Sequence, residues 1–161
     1  MDKFEKQIIT CSIETQHMNK KFLFAFAILF FSFHLFAQTT NNTGTPQHRV
    51  VIQLTSNDTL VWKGLMNNIK NMKNGWGDSV SIEVVAHGPG IDFLVKDKTT
   101  QQERIAYFKS KAVVFVGCEN TLTERKISKE SIIPEAGFVK MGIGEVILKQ
   151  EQGWSYIKVG F

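Results

Sequence analysis

Apolar residues recur along the chain in two rhythms, short β-branched runs and longer stretches with helical spacing. Arg49-Val50-Val51-Ile52-Gln53-Leu54, bounded by turn formers, predicts the first strand. Thr55-Ser56-Asn57-Asp58 then offers several N-caps before an amphipathic helix from Thr59 to about Asn74. Its inner face is Leu60, Val61, Leu65, Met66, Ile69 and Met72, with Trp62 on the flank, where core packing is its expected role, and Gly75-Trp76-Gly77-Asp78 breaks it. Ser79 to Ala86 alternates and then turns wholly apolar, as expected of a second strand covered on both faces toward its end. A second helix is expected to begin at Ile91–Val95, pause over Lys96–Thr100 and resume from Gln101 to Ser110 with Ile105, Ala106 and Phe108 inward. Ala112 to Gly117 is the third strand, and Asn120 or Thr121 is the expected cap of a short helix from Leu122 to Arg125. Ile132 to Glu135 reads as a loop, Gly137 to Met141 as a fourth strand, Gly142 to Gln152 as a glycine-opened helix stopped by Gly153, and Trp154 to Val159 as a fifth strand. Strand and helix alternate throughout, which predicts an α/β domain of three α/β/α layers around a mainly parallel five-stranded sheet.

The amino-terminal quarter follows a different pattern. Met18-Asn19-Lys20-Lys21 is followed by a nearly unbroken apolar run from Phe22 to Phe36 and then Ala37. A basic n-region, an apolar h-region and a small residue before the cut make a secretory signal peptide. The run is short for a bilayer span, which needs roughly 20 apolar residues, so no membrane span is expected after cleavage. The residues before Met18 are polar and of mixed charge, unlike an n-region, and Met18 reads as the true start. Residues 1–37 are therefore read as leader, 38–48 as a disordered tether rich in Thr, Asn and Gln, and 49–161 as one domain, exported to the periplasm or secreted.

Composition changes the picture in two places. Of 19 Lys+Arg and 15 Asp+Glu, four Lys and three acids lie in residues 1–37, leaving 15 against 12 and a net charge of +3. That surplus is too small and dispersed for a nucleic-acid footprint. Of the two cysteines, Cys11 belongs to the leader, so the mature chain holds Cys118 alone. An exported protein with one thiol has no intramolecular disulfide, and the odd thiol needs an explanation.

Cys118 closes the run Val113-Val114-Phe115-Val116-Gly117 and precedes Glu119-Asn120-Thr121-Leu122. A buried strand thus delivers a thiol to a helix N-terminus, where ligands bind in open α/β sheets and where the thiolate is favoured. A cysteine packed as a small hydrophobe is the alternative. The second candidate is His87-Gly88-Pro89-Gly90 after the second strand, a tight turn whose backbone approaches a ligand closely; His87 is either a proton donor or acceptor there or a turn histidine facing solvent. Candidate ligand contacts are His87, Gly88, Gly90, Glu119, Asn120 and Thr121. One Cys and one His fall short of a four-ligand zinc site, and no strand is followed by a complete Gly-x-Gly-x-x-Gly, so neither a metal nor a cofactor is expected.

Four blocks carry a resemblance: Trp62 to Asn71, Val84 to Gly90, Phe115 to Leu122 and Gly142 to Tyr156. Together, in this order and spacing, they resemble the DsrE/DsrF-like family over roughly Arg49 to Val159. The resemblance implies a flavodoxin-like parallel five-stranded sheet and assembly into homo-oligomers, trimers or hexamers. In its sulfurtransferase members a cysteine after the third strand accepts sulfane sulfur, and Cys118 matches that position. Those members are cytoplasmic and work with dedicated partner proteins, whereas this chain carries an export signal, so transfer of the activity is an analogy.

Three functions follow. In the first, Cys118 carries a persulfide, held by the N–H groups of Glu119 and Asn120, and exchanges it with a sulfur-donor or acceptor protein. The negative charge of Glu119 opposes this, with Arg125, Lys126 and His87 as candidates to offset it. Thioredoxin-like exchange is disfavoured because no Cys-x-x-Cys is present. In the second, the His87 turn and the Cys118 loop line a small-ligand pocket without turnover. In the third, Trp62, Trp76 and Trp154 pack the core or interface of a structural oligomer. If the chain is an enzyme, it is a sulfurtransferase-like sulfur carrier.

Overall fold

Five strands, β1 (His48–Leu54), β2 (Val80–Ala86), β3 (Val113–Cys118), β4 (Gly137–Val139) and β5 (Ser155–Val159), hydrogen-bond in the order β4-β3-β2-β1-β5. Every neighbouring pair is parallel, with Val50 opposite Ile82 and Ser155, and Val84 opposite Phe115. The computed structural model describes residues 48–159. The leader and the tether lie outside the described residues, except that His48 opens β1 where the tether was expected to end. Among the described residues no helix is long and apolar enough to cross a membrane.

The helices are α1 (Thr59–Trp76), α2 (Gln102–Lys109), α3 (Glu119–Glu124) and α4 (Gly142–Glu151). One sheet face carries the larger core, in which Ile52, Ile82, Val84 and Phe115 meet Trp62, Leu65, Met66 and Ile69 of α1 and Ile105 and Phe108 of α2. The opposite face carries a smaller core of Val51, Val85, Val116 and Val146, the last from α4. Helices on both faces of a parallel sheet make the expected three-layer α/β/α domain, and the central strands β1, β2 and β3 are apolar because both their faces are covered. The chain passes from edge strand β4 through α4 to the opposite edge strand β5, so α4 crosses the sheet over the smaller core.

Several local expectations need correction. In α1, Asp58 is the N-cap, accepting from Leu60 N–H at 2.8 Å, and the helix runs two residues past Asn74 to end at Gly77, whose φ of +55° suits glycine. Trp62 packs in the core as expected, 2% exposed, with its indole N–H donating to Ser56 O at 2.8 Å, whereas Leu60, expected on the inner face, is 74% exposed. Capping at Asp58 turns the first helical residues outward and brings Trp62 inward. Residues 88–94 form a 3-10 segment instead of opening an α-helix at Ile91. Gly90 to Leu94 are all buried, so the segment has no polar face from which a helical period could be read. Strand β3 extends to Cys118, strand β4 stops at Val139, and α3 starts at Glu119 with Cys118 itself as the N-cap in place of Asn120 or Thr121.

Candidate functional site

Cys118 is at once the last residue of β3 and the cap of α3. The β-branched run before it fixes the strand, and its sulfur takes the capping position that a serine oxygen would take. Sγ accepts from Thr121 N–H at 3.5 Å and from Gly142 N–H, the first residue of α4, at 3.1 Å. Two helix starts, the second opening 24 residues after Cys118, therefore converge on one thiol. Burial alone pushes the thiol up, but the hydrogen bonds from Thr121 and Gly142 outweigh it and hold the thiol below its ordinary 9.0. The side chain is 5% exposed.

His87 follows β2 and is brought to the same place. A Cβ added at Gly142 would lie 3.0 Å from His87 Cβ and 3.1 Å from Cys118 Cβ, so the bare backbone of α4 fills the space between the two side chains. Gly88 N–H donates to Thr121 Oγ1 at 3.0 Å, and Thr121 in turn contacts Cys118, which links the turn to the thiol. Gly88 has φ +53°, and Gly90 packs so closely on β1 that a Cβ there would lie 2.2 Å from Leu54 O. Both glycines therefore have backbone reasons to be glycine.

A DsrE/DsrF-like family model matches residues 36–159. The chain belongs to the DsrE/DsrF-like family. Three solved structures share its fold. A protein of unknown function, MTH1491 from Methanobacterium thermoautotrophicum, is 28% identical with a TM-score of 0.65, over 69% of this chain and 98% of its own. A conserved protein of unknown function, BT1422 from Bacteroides thetaiotaomicron, is 19% identical with a TM-score of 0.56, over 73% of this chain and 99% of its own. The ychN protein of E. coli is 9% identical with a TM-score of 0.52, over 70% and 98%. The last two speak to the fold alone. No curated protein matches the chain.

In this DsrE/DsrF-like chain the remaining candidates divide. Thr121 and Gly88 join the Cys118 cluster, and His87 abuts it. Asn120 N–H donates to Lys140 O at 3.2 Å and also helps to lower the Cys118 pKa, while the closest N–H donors to the sulfur are Gly142 and Thr121, and Glu119 supplies none. The Glu119 carboxylate pairs with Lys129, which lowers its pKa, so its charge is answered by Lys129 and not by Arg125 or His87. Arg125 instead clamps the turn, donating to Gly88 O at 3.1 Å and to Asp92 at 3.2 Å. Burial would raise the Asp92 carboxyl, yet Arg125 and Lys98 hold it below its ordinary value. A groove of about 460 Å³ beside the site is lined by Glu119 together with Lys126, Lys129 and Lys140.

Three contributors were missed. Gly142 stood in the sequence only as a helix-opening glycine. Gln53, 7% exposed, gives its side-chain amide to His87 Nε2 at 2.6 Å, and Tyr156 O–H donates to the Gln53 side-chain oxygen. Gln53 carried a signal, a lone polar residue within Val50-Val51-Ile52-Gln53-Leu54. Tyr156 carried none, because nothing local places β5 beside β1.

Proposed function

We propose that the chain is an exported sulfur carrier in which Cys118 accepts and passes on sulfane sulfur. The observation that carries this reading is the convergence of the Thr121 and Gly142 N–H groups on Cys118 Sγ, which favours the thiolate that must act as nucleophile. The thiolate attacks a terminal sulfur of a polysulfide, a new S–S bond forms, and the electron pair of the broken S–S bond leaves with a polysulfide shorter by one sulfur. The product is a persulfide anion, and charge is conserved. An exposure of 5% favours a small linear donor, and Lys126, Lys129 and Lys140 along the adjoining groove favour an anionic one. Incubation of the protein with polysulfide should add mass in steps of roughly 32 Da, one sulfur each, with Cys118→Ser abolishing the gain and Cys11→Ser leaving it intact. Equal gain in the Cys118→Ser variant would overturn the proposal. Mass spectrometry of exported material beginning at Gln38 would support the export half of the reading, and retention of residues 1–37 would refute it.

A second reading, a homo-oligomeric subunit without turnover, is favoured by Ile143, Ile147 and Leu148 on α4, each about half exposed at 48%, 48% and 52%. A second copy of the chain covering α4 accounts for them. Light scattering would then give a trimer or hexamer that Ile147→Asp dissociates, and a monomeric wild type would exclude it.

A further inference from the structure

His87, Gln53 and Tyr156 come from just past the end of β2, the last-but-one position of β1 and the start of β5, and form one hydrogen-bonded chain. The sheet order explains the meeting: β1 lies between β2 and β5, with Val51 opposite Tyr156 and Leu54 opposite Ala86. On β1, Val51 and Gln53 point to the α4 face, the face on which Val116 and Cys118 of β3 also lie. A buried side-chain amide is costly unless both its oxygen and its nitrogen are satisfied, and here each has one partner.

The direction of the chain fixes the chemistry of the ring. Tyr156 donates to the Gln53 oxygen, so the amide presents its NH2 to His87, whose Nε2 must accept. A neutral imidazole accepting at Nε2 carries its proton on Nδ1. His87 Cβ and Cγ lie 3.0 and 3.3 Å from the position a Gly142 side chain would take, and Cys118 Cβ lies 3.1 Å from it, so the His87 and Cys118 side chains leave their strand ends on either side of the same spot. The ionisable neighbours are Cys118 on β3, Tyr156 on β5 and Lys158 on β5, whose positive charge disfavours a second proton on the ring.

We propose that Gln53 and Tyr156 are positioning residues that lock His87 as the Nδ1–H tautomer, reserving that N–H for the sulfur borne by Cys118. The inference rests on the sulfur-carrier reading for its purpose, but the lock itself does not. The N–H donates a hydrogen bond to the negatively charged outer sulfur and transfers no proton, so the sulfur step balances as written. The mirror arrangement, with the Gln53 amide reversed, would have Tyr156 accept and would place the proton on Nε2. The two differ in one spectroscopic property.

Long-range 1H–15N spectra of the full-length chain above pH 7 are expected to show His87 protonated at Nδ1. Gln53→Glu, nearly isosteric but offering only acceptors when ionised, should move the proton to Nε2, and Tyr156→Phe should leave a mixture because the amide is free to turn. Polysulfide loading of Cys118 should slow about tenfold in Gln53→Glu and recover in a Gln53→Asn variant that restores the Nδ1–H signal. An Nε2–H signal in the wild type overturns the lock. A correct tautomer with loading unchanged in Gln53→Glu overturns its role, and a protein that takes up no sulfur at all fails the sulfur-carrier reading while leaving the tautomer result standing.

Discussion

The amide of Gly142 donates to Cys118 Sγ at 3.1 Å, joining the start of one helix to the cap of another across the end of β3. The thiol is the acceptor, so the bond is strongest when the sulfur is ionised.

The first consequence is a pH dependence. Because the folded thiol titrates below its ordinary 9.0, its contribution to stability is fully present above 9.0 and is lost as pH falls through the folded value. Urea midpoints of the wild type should therefore gain on those of Cys118→Ser between neutral pH and pH 9.5. The rate of iodoacetamide labelling should reach half its plateau below 9.0. A labelling midpoint at or above 9.0 would show that burial prevails over the two N–H donors.

Alanine at Gly142 should separate the partners of the site. Its Cβ would meet two side chains at 3.0 and 3.1 Å, closer than ordinary contact, and the neighbours Cys118 and His87 are themselves tied by hydrogen bonds. Overpacking of this kind costs about 1–3 kcal/mol. Gly64, in the exposed middle of α1, has nothing within 4 Å of the same added atom. Gly64→Ala should stabilise the protein by about 0.5–1 kcal/mol. Opposite signs in paired urea titrations are the expected result, and two losses of equal size would mean that the space around Gly142 does not matter.

The contrast between those glycines shows where sequence reading succeeds. Cys118 was legible because Val113 to Gly117 is a local apolar run that ends at a thiol, and the His87 turn because Gly88, Pro89 and Gly90 punctuate it. Five strands in alternation with helices were likewise written in local periodicity. Gly142 lies 24 residues beyond the cysteine it contacts, and only the passage of α4 across the sheet brings them together. The partnership of Gln53 with Tyr156 depends on β5 returning to pair with β1, a choice of strand order that no local pattern encodes. Leu60 was misplaced for a simpler reason, since its inward or outward sense depends on which of four capping candidates starts the helix.

His87 offers a second titration with the opposite origin. Burial, assisted by the charge of Lys158, holds its pKa below the ordinary 6.5. The unfolded chain therefore takes up the proton first, so the contribution of His87 is fully present above pH 6.5 and is lost as pH falls through the folded value. Stability measured from pH 7.5 down to 5 should decline more steeply in the wild type than in His87→Asn. Parallel curves would indicate that the ring is as well solvated folded as unfolded.

On the α4 face, Glu83 in the middle of β2 meets Lys149 at 2.6 Å, with Glu145 at 3.5 Å from the same ammonium and the Trp154 ring centroid at 4.6 Å. The Glu83 side chain is 7% exposed and that of Lys149 is 18%, so the carboxylate bears more of the desolvation. Burial accordingly raises the Glu83 pKa above 4.5 in spite of Lys149, whereas Lys149, held by two carboxylates, stays above 10.5 despite its own burial. A raised acid stabilises the fold below pH 4.5 and loses that contribution as pH rises through its folded value. Glu83→Gln should thus gain on the wild type between pH 4 and pH 7 and differ from it by less than about 1 kcal/mol at neutrality, because Lys149 keeps Glu145 and the Trp154 face. Lys149→Met strands a buried carboxylate and should cost about 3 kcal/mol or more at neutral pH. Its loss should shrink in acid, where Glu83 is protonated and needs no partner. Urea unfolding of both variants at pH 4 and pH 7 checks the order, and a Glu83→Gln loss as large as that of Lys149→Met would mean that the ion pair, not the relief of an unpaired charge, governs this face.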